Sequence, residues 1–250
     1  MGHDEVEAAM IVDREGEALV VIDQEAHARL TGELAANLPF QVAHHAAFVA
    51  AARVHDNGWR EADRDATVDG DGRPHTFNNV PDELYEDLWR RGIERAAAVD
   101  PLVGLLVGLH GARFFETRDS PGMRALVADE RDRQDRVLAE LGLGGSWDDL
   151  PASVAQASDW IAMLDALSLL LCGAGLPDQI SPNVGEQRYT LTRTSLGVAI
   201  DPWPYEGGPL QLRVEARRIA PGPYPDHDAL RRALEEAPWE ERDVTVTPAP

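Results

Sequence analysis

The chain has 250 residues and a net charge of −21, and 44% of its residues are hydrophobic. This length can bury a substantial core without disulfides or structural metals, and its single cysteine, Cys172, excludes an intramolecular disulfide. All 23 fixed cations are arginines, because the sequence contains no lysine. A surface this acidic repels phosphate backbones, so the composition disfavours nucleic-acid binding.

The acidic, lysine-free composition has two explanations. It is typical of proteins from a salt-adapted cytoplasm, but a genome rich in G and C also writes arginine in place of lysine. The amino-terminal residues contain no apolar core of a secretory signal. The longest apolar runs, PLVGLLVGLHG and WIAMLDALSLLLCGAG, are too short or too interrupted to predict a bilayer span. We therefore expect a cytoplasmic protein without membrane attachment.

Residues 9–22 predict a β-hairpin that turns at Gly16. A helix is then predicted from the cap at Asp23 to a stop at Pro39, and a second, alanine-rich helix ends before Gly58. A polar loop and further elements follow. The predicted segments are a loop at 63–81, helices at about 82–99, 100–112, 120–142 and 151–173, a linker-like stretch at 173–187, strands between 188 and 250, and a short helix around 226–236.

Two strands, a block of helices and then more strands predict an α+β protein. In this interpretation residues 1–250 form a single domain with a helical core at about 20–172. The terminal β-segments, 9–22 and 188–250, pair in one antiparallel sheet against that core. The alternative is a helical domain followed by a separate C-terminal β module.

Asp165 lies in the apolar run WIAMLDALSLLLC, where its neighbours leave no clearly polar face. An ionised carboxylate there is costly unless it is paired or bound to a metal. Taken alone, Asp165 is better explained as a buried residue that accepts hydrogen bonds from backbone amides or an arginine. His27 and His110, which also lie among apolar residues, are each typical of core histidines when taken alone.

The pair His55–Asp56 differs from these single residues. Two adjacent ligand-type side chains at a helix end cannot both face the core unless both contact a central bound group. Asp56 also has a simpler explanation as a cap of the turn at Gly58. In chain order, however, the sequence offers a His on one helix, a His-Asp pair after the next, a later His and a last Asp. Zn, Mn and Fe accept imidazole and carboxylate ligands, and a helical bundle can project them into its core.

This order of residues, with the turn HDNGW, resembles the HD superfamily of metal-dependent enzymes over residues about 20–172. The segments HDNGW, GLHGARFF and LDALSLLLC are more closely similar to an uncharacterised bacterial and archaeal family of unknown function. The resemblance implies an HD-type helical bundle and one or two divalent transition metal ions, Fe, Mn or Zn. It implies that the metal ligands are His27, His55, Asp56, His75, His110 and Asp165, with Asp56 bridging two ions if both are present.

Three functions agree with such a site. The first is hydrolysis of a small phosphate ester, the commonest activity of that superfamily, in which Asp56 orients or deprotonates water and Arg113 binds phosphate. Trp59 and Arg60 are then candidate substrate-binding residues, with Arg64 as a further cation. The second is a di-iron oxygenase that cleaves a C–C or C–P bond, which a minority of the superfamily represents. The third is a metal-stabilised binding protein without turnover.

Overall fold

The computed structural model describes residues 10–40, 42–115 and 120–250. Its first element is a β-hairpin, in which β1 (Ile11–Glu15) pairs antiparallel with β2 (Ala18–Ile22). The turn contains Gly16 at φ +61°, a left-handed conformation that favours glycine. Asp23 has extended backbone and directly precedes helix α1 (Gln24–Ala36), so β2 leads into the first helix without a loop.

Helices form the middle of the described chain, as the spacing of apolar residues predicts. After α1 they are α2 (His45–Val54), α3 (Arg60–Arg64), α4 (Asp82–Val99), α5 (Pro101–Phe115), α6 (Pro121–Glu140) and α7 (Ala152–Cys172). Short 3-10 turns cover Asn57–Trp59 and Phe77–Asn79. Helices α1, α2 and α5 all pack against α7. The buried residues of α7 point in several directions, which is why its sequence shows no polar stripe.

The C-terminal part of the chain supplies most of the strands. They are β3 (Gln179–Ile180), β4 (Asn183–Val184), β5 (Gln187–Arg188), β6 (Thr190–Thr194), β7 (Gly197–Asp201), β8 (Leu210–Ile219) and β9 (Trp239–Pro248), with helix α8 (His227–Glu236) before β9. Seven strands form one sheet in the order β1-β2-β8-β9-β7-β6-β3, and β4 and β5 pair separately. The pairing of Leu19 with Ile219 joins the N-terminal hairpin to the C-terminal strands. The terminal strands therefore share one sheet, as expected, within an α+β fold.

Two details of the predicted sheet are wrong. The sheet is mixed and not wholly antiparallel, because β7 and β9 run parallel, with Val198 opposite Val246. Strand β9 lies between β8 and β7, which run in opposite directions, so it cannot be antiparallel to both. The segment 173–187 is also not a linker, because it contributes β3 and β4 and buries Val184. The sheet-forming segment thus begins at Gln179, before the predicted start at 188.

Strand β2 is buried on both faces, which explains its uninterrupted apolar sequence. Val20 and Ile22 belong to the main core, together with residues of the helical block. Leu19 and Val21 point the other way into a smaller apolar cluster that includes Leu230 of α8. Because successive side chains of a strand alternate between faces, this one short strand connects both apolar clusters.

The sequence predicts no bilayer span in this segment. Helix α7, with 21 residues, is nevertheless long and apolar enough to cross a membrane by length and composition. Within the protein, however, 67% of its most apolar window is buried against other elements. A core helix of a soluble protein has the same properties, so the length of α7 is explained by its central position. Within the described ranges no second helix passes this test.

The turn after α2 is held against α4 by a close backbone approach at Gly58. A Cβ atom on Gly58 would lie 2.0 Å from the carbonyl oxygen of Leu88. The substitution Gly58→Ala must therefore push the turn away from α4, and we expect it to lower the free energy of unfolding by about 1–3 kcal/mol. Urea denaturation measures this change. The control Gly70→Ala, where nothing lies within 4 Å, should stay within about 0.5 kcal/mol of the wild type; equal losses in both variants would contradict the packing argument.

Candidate metal centre

Five of the six predicted ligands meet where four helices converge. His27 lies on α1, His55 caps the C-terminus of α2, Asp56 follows it, His110 lies on α5 and Asp165 lies on α7. Each of the five is at most 9% exposed. Buried ionisable side chains are rare unless they are paired or bind metal, so five together make this cluster the candidate site.

The ligand-type atoms surround a common point. His27 Nε2 lies 3.0 Å from Asp165 Oδ1 and 3.2 Å from His55 Nε2. Asp56 Oδ2 lies 3.5 Å from His27 Nε2 and 3.4 Å from His55 Nε2. The second oxygen of Asp165, Oδ2, lies 3.6 Å from His110 Nε2. Asp165 therefore joins the group around His27 and His55 to His110.

Hydrogen bonds on the far side of two rings determine which nitrogens face the centre. His55 Nδ1 donates to the carbonyl oxygen of Ala52 at 2.8 Å, since a carbonyl can only accept. The Ser168 hydroxyl donates to the His27 carbonyl oxygen at 3.1 Å and accepts from His27 Nδ1 at 2.7 Å. In the neutral rings both Nε2 atoms then present lone pairs to each other. Such an arrangement is repulsive unless a proton or a cation lies between them.

The electrostatics agree with a site that attracts positive charge. Burial alone lowers the pKa of His55, but the charge of Asp56 and hydrogen bonds to Asp165 and Asp56 outweigh it and raise that pKa to about 9. Burial likewise opposes protonation of His27, yet Asp165 and Asp56 raise its pKa well above 6.5. The pKa of both carboxyl groups is lowered, since the neighbouring histidines outweigh burial. For His110, burial dominates and lowers the pKa to about 4.

The donor set fits a divalent transition metal ion. Ligands about 2.1 Å from an ion lie about 3.0 Å apart in octahedral geometry and about 3.4 Å apart in tetrahedral geometry. The five separations that join His27 Nε2 and His55 Nε2 to each other, to Asp56 Oδ2 and to Asp165 Oδ1, from 3.0 to 3.5 Å, match this range. Within the described residues two groups can each hold an ion: His27–His55–Asp56 and His55–His110–Asp165.

A pocket of about 290 Å³ opens above these ligands. Asp56, His110 and Asp165 line it, as do two neutral polar residues, Gln24 and Asn78. The remaining wall is apolar or aromatic. These residues are Trp59, Phe77, Tyr85, Trp89, Phe114, Leu169 and Leu176. The described lining includes no arginine, so its formal charge comes from two carboxylates.

Three polar atoms of the pocket-lining residues are buried and lack hydrogen-bond partners in the described parts of the chain. They are Gln24 Oε1, Trp89 Nε1 and His110 Nδ1. Buried polar atoms normally have hydrogen-bond partners, so these three atoms are candidates for contact with a molecule in the pocket. The aromatic rings support the same wall, since Trp89 stacks on Phe114 at 6.1 Å between ring centroids.

The remaining predicted site residues have different positions. Trp59, a predicted substrate-binding residue, lines the pocket. His75 is buried and shares a 2.9 Å hydrogen bond between its Nδ1 and Thr67 Oγ1, but it joins neither ligand group among the described residues. Arg113 instead donates to Asp159 Oδ1 at 2.5 Å. Arg60 donates to Glu25 Oε1 at 2.6 Å and lines a different cleft.

Sequence reasoning missed Ser168 and most of the aromatic wall. Ser168 lies three residues after Asp165, on the same face of α7, and is fully buried. A polar residue at that spacing within an apolar helix is the pattern that could have indicated a partner for a ligand. Trp89 and Phe114 carried no such pattern, because an aromatic residue on an amphipathic helix looks the same whether it faces a core or a pocket.

The fold and the site together define an α+β protein with a buried His/Asp cluster that can hold a metal ion. A family model described as "Protein of unknown function (DUF3891)" matches residues 10–221. The chain therefore belongs to that family. No curated protein and no solved structure matches the chain.

Ser168 fixes the orientation of the His27 ring, so its hydroxyl should affect metal binding without touching the ion. We expect Ser168→Ala to weaken the binding of Mn²⁺ or Zn²⁺ by about 10–100-fold, the usual effect of removing a partner of a metal ligand. Competition with a chelating dye measures this affinity. The matched control is Ser158→Ala, which lies on the same helix but contacts Arg113; equal weakening in both variants would contradict the assigned role.

The raised pKa of His55 predicts how pH affects the metal-free protein. The folded pKa is about 9 and the unfolded value about 6.5, so protonated His55 stabilises the fold fully below about pH 6.5. That stabilisation is lost as the pH rises towards 9. Calorimetry on chelator-treated protein should show a lower Tm at pH 9 than at pH 6.5, and added metal should reduce the difference. The His55→Gln variant should show a smaller decrease; an unchanged decrease would contradict the assignment.

Proposed function

We propose that the protein is an HD-type, metal-dependent hydrolase that cleaves a small ester in the pocket above His27, His55, Asp56 and Asp165. The observation that carries the proposal is the position of these ligands at the floor of an open pocket, with Asp56 and Asp165 reaching both the ligand cluster and the pocket. A divalent ion bound there lowers the pKa of water and polarises the oxygen of the scissile group. A cytoplasmic location is part of this proposal.

Asp56 is the best candidate for orienting the attacking water molecule. All of its contacts to the histidines use Oδ2. Within the described chain Oδ1 makes no hydrogen bond, and the residue is 9% exposed at the pocket. The low pKa of its carboxyl group keeps it ionised, so Oδ1 can accept a hydrogen bond from water and orient it towards the substrate. Hydrolysis then adds water across the ester bond and yields an acid and an alcohol.

The walls of the pocket favour a substrate with little negative charge. A phosphate monoester carries up to two charges and usually contacts arginine or lysine. The described wall offers neutral groups, Gln24 and Asn78, and aromatic rings. Of the three arginines considered for phosphate, Arg113 and Arg60 are engaged with Asp159 and Glu25, and Arg64 lines a different cleft. We therefore propose as substrate a neutral or singly charged ester that carries a flat apolar group, in place of a phosphate monoester.

An HD-type di-iron oxygenase is the second candidate, and the aromatic, cation-free wall favours it. An apolar pocket excludes water, which suits the oxidation of an apolar substrate. That reading needs His75 as a sixth ligand, and His75 contacts Thr67 instead of joining a ligand group in the described residues. Hydrolysis requires no sixth ligand, so we rank it above oxygenation. A metal-stabilised binding protein would retain the ion but show no turnover.

The first test combines elemental analysis with three model esters. Protein purified without a histidine tag should contain one or two equivalents of Fe, Mn or Zn. With Mn²⁺ or Zn²⁺, we expect turnover of p-nitrophenyl acetate and bis(p-nitrophenyl) phosphate to exceed that of p-nitrophenyl phosphate by about tenfold, because the dianion meets two carboxylates without a facing arginine. Asp56→Asn should reduce kcat by about 10²-fold or more.

The matched control is Asp159→Asn, which removes a carboxylate outside the pocket and should keep both metal and activity. Faster turnover of p-nitrophenyl phosphate would instead identify a phosphate monoester as the substrate. Two irons with substrate-dependent oxygen consumption would favour the oxygenase. Bound metal without turnover would favour the metal-stabilised binding protein. Absence of metal from the wild type would overturn all three candidate functions.

A further inference from the structure

The lining of the metal pocket changes in character from its floor to its rim. The floor consists of deeply buried residues beside the ligands, and Gln24 and His110, for example, are each 1% exposed. The rim consists of the lining residues that are partly exposed, where the pocket meets solvent. These residues are Phe77, Asn78, Phe114, Leu169 and Leu176. A molecule that enters from solvent therefore contacts these side chains first.

The rim is apolar, whereas the floor is charged. Four of the five rim residues are phenylalanine or leucine, and the fifth, Asn78, is neutral. The two carboxylates of the lining, Asp56 and Asp165, are at most 9% exposed and belong to the floor. Removal of apolar surface from water is favourable at such a rim. A bound molecule thus places its polar end on the floor and its apolar end at the rim.

Phe114 connects the rim to the metal ligands. It follows His110 by four residues on α5, so both side chains lie on the same face of that helix. The centre of the Phe114 ring lies 5.2 Å from that of His110, in an edge-to-face arrangement, and the ring also stacks on Trp89. Both of these neighbours are buried, whereas Phe114 is 37% exposed. The ring is therefore held on its inner side and open to solvent at the pocket.

A ring that is already held in place suits the binding of a second ring. Because His110 and Trp89 restrict the Phe114 side chain, a contact with a ligand costs little further side-chain entropy. Aromatic pairs gain more from such contacts than their buried area alone provides. The pocket volume of about 290 Å³ lies near the lower limit of ligand pockets, roughly 300 Å³. The pocket can therefore hold one ring together with a small reactive group.

We infer that Phe114 is a specificity-determining residue, which selects substrates that carry an aromatic ring. The ring of the substrate packs on Phe114 at the rim, and the ester group points inward to the floor. This inference rests on the proposed hydrolase function and adds to it the orientation of the substrate. The segment GLHGARFF then supplies a metal ligand, His110, and one turn later the residue that selects the substrate.

Hydrolysis of benzyl acetate and ethyl acetate by the metal-loaded protein tests the inference. The two leaving alcohols have similar acidity, so a preference for benzyl acetate reports contacts with the ring. We expect Phe114→Ala to lower the ratio of the two kcat/KM values by about 3–10-fold, the loss of one aromatic contact. Phe114→Tyr keeps the ring and should keep the ratio. A purely structural effect would lower both values equally, and an unchanged ratio in Phe114→Ala would overturn the inference.

The matched control is Phe40→Ala. Phe40 is 42% exposed and packs on Trp160 at 5.3 Å between ring centroids, so it resembles Phe114 in exposure and in having an aromatic neighbour. It is not part of the described lining of the metal pocket. Its replacement should leave the ratio of the two kcat/KM values as in the wild type. An equal fall of this ratio in both alanine variants would contradict the role of Phe114.

A binding measurement separates this inference from the proposed hydrolase function. In calorimetric titrations of the metal-loaded protein, benzamide should bind more tightly than acetamide, and Phe114→Ala should raise the Kd of benzamide by about 3–10-fold. That result without ester turnover by the wild type would overturn the hydrolase and support ring selection by Phe114. Ester turnover by the wild type, with an unchanged benzamide Kd in Phe114→Ala, would support the hydrolase and overturn the inference.

Discussion

Two imidazole nitrogens that face each other at 3.2 Å, with a carboxylate oxygen beside each, are the constraint on which the rest of the site depends. Neither ring can turn away, because Ser168 and the Ala52 carbonyl hold the opposite nitrogens. The lone pairs therefore need a positive charge between them. In the absence of metal, a proton can meet that need, and the carboxylates Asp56 and Asp165 raise the pKa of both His27 and His55. A metal ion and protons thus compete for one position.

This constraint also explains the apolar surroundings of the cluster. Helices α1, α2, α5 and α7 place the ligands where water is largely excluded, and a low dielectric strengthens every interaction with a bound cation. The cost is that the negative charge of each carboxylate must be balanced by neighbouring positive charge or hydrogen-bond donors. Asp165 meets this requirement from the middle of α7 by contacting His27 and His55 through one oxygen and His110 through the other.

Arginine is absent from the described lining of the metal pocket, and elsewhere arginines such as Arg60 and Arg113 are paired with carboxylates. The metal pocket has aromatic rings and neutral polar groups, so selectivity there depends on shape and on the ion. The cleft that Arg60 lines has five arginines and five acidic residues, so its charges largely balance one another. The chain that enters α1 borders both cavities, because Asp23 lines that cleft and Gln24 lines the metal pocket.

Much of the fold follows from the sequence, since apolar periodicity determines where helices and long strands form. The helix predicted at about 82–99 agrees with Asp82–Val99, and the strand in LQLRVEARRI is found as Leu210–Ile219. Short strands such as β3 carry too few residues to show a period, so 173–187 resembled a linker. The parallel pairing of β7 with β9 depends on strand order, which no local pattern encodes.

The candidate site was predictable to a similar degree. The residues that converge, His27, His55, Asp56, His110 and Asp165, share an unusual chemistry within apolar helices. His75 shares the chemistry but lies in a loop whose path is set by contacts far away in sequence. Arginine positions could not be predicted, because a long side chain on a helix such as Arg113 reaches whichever carboxylate packs nearby.

The pairing of the N-terminal hairpin with β8 has a consequence for synthesis of the chain. The residue that precedes the first helix, Asp23, contacts Arg217, 194 residues later. On the ribosome, β2 and every metal ligand emerge long before the strand that covers β2 exists. The apolar edge of β2 must therefore stay unpaired until most of the polypeptide is made, which exposes it to wrong partners in the meantime. Early capture of a metal ion by the helical segment would shorten the search for the native state, because it fixes four helices before the sheet closes.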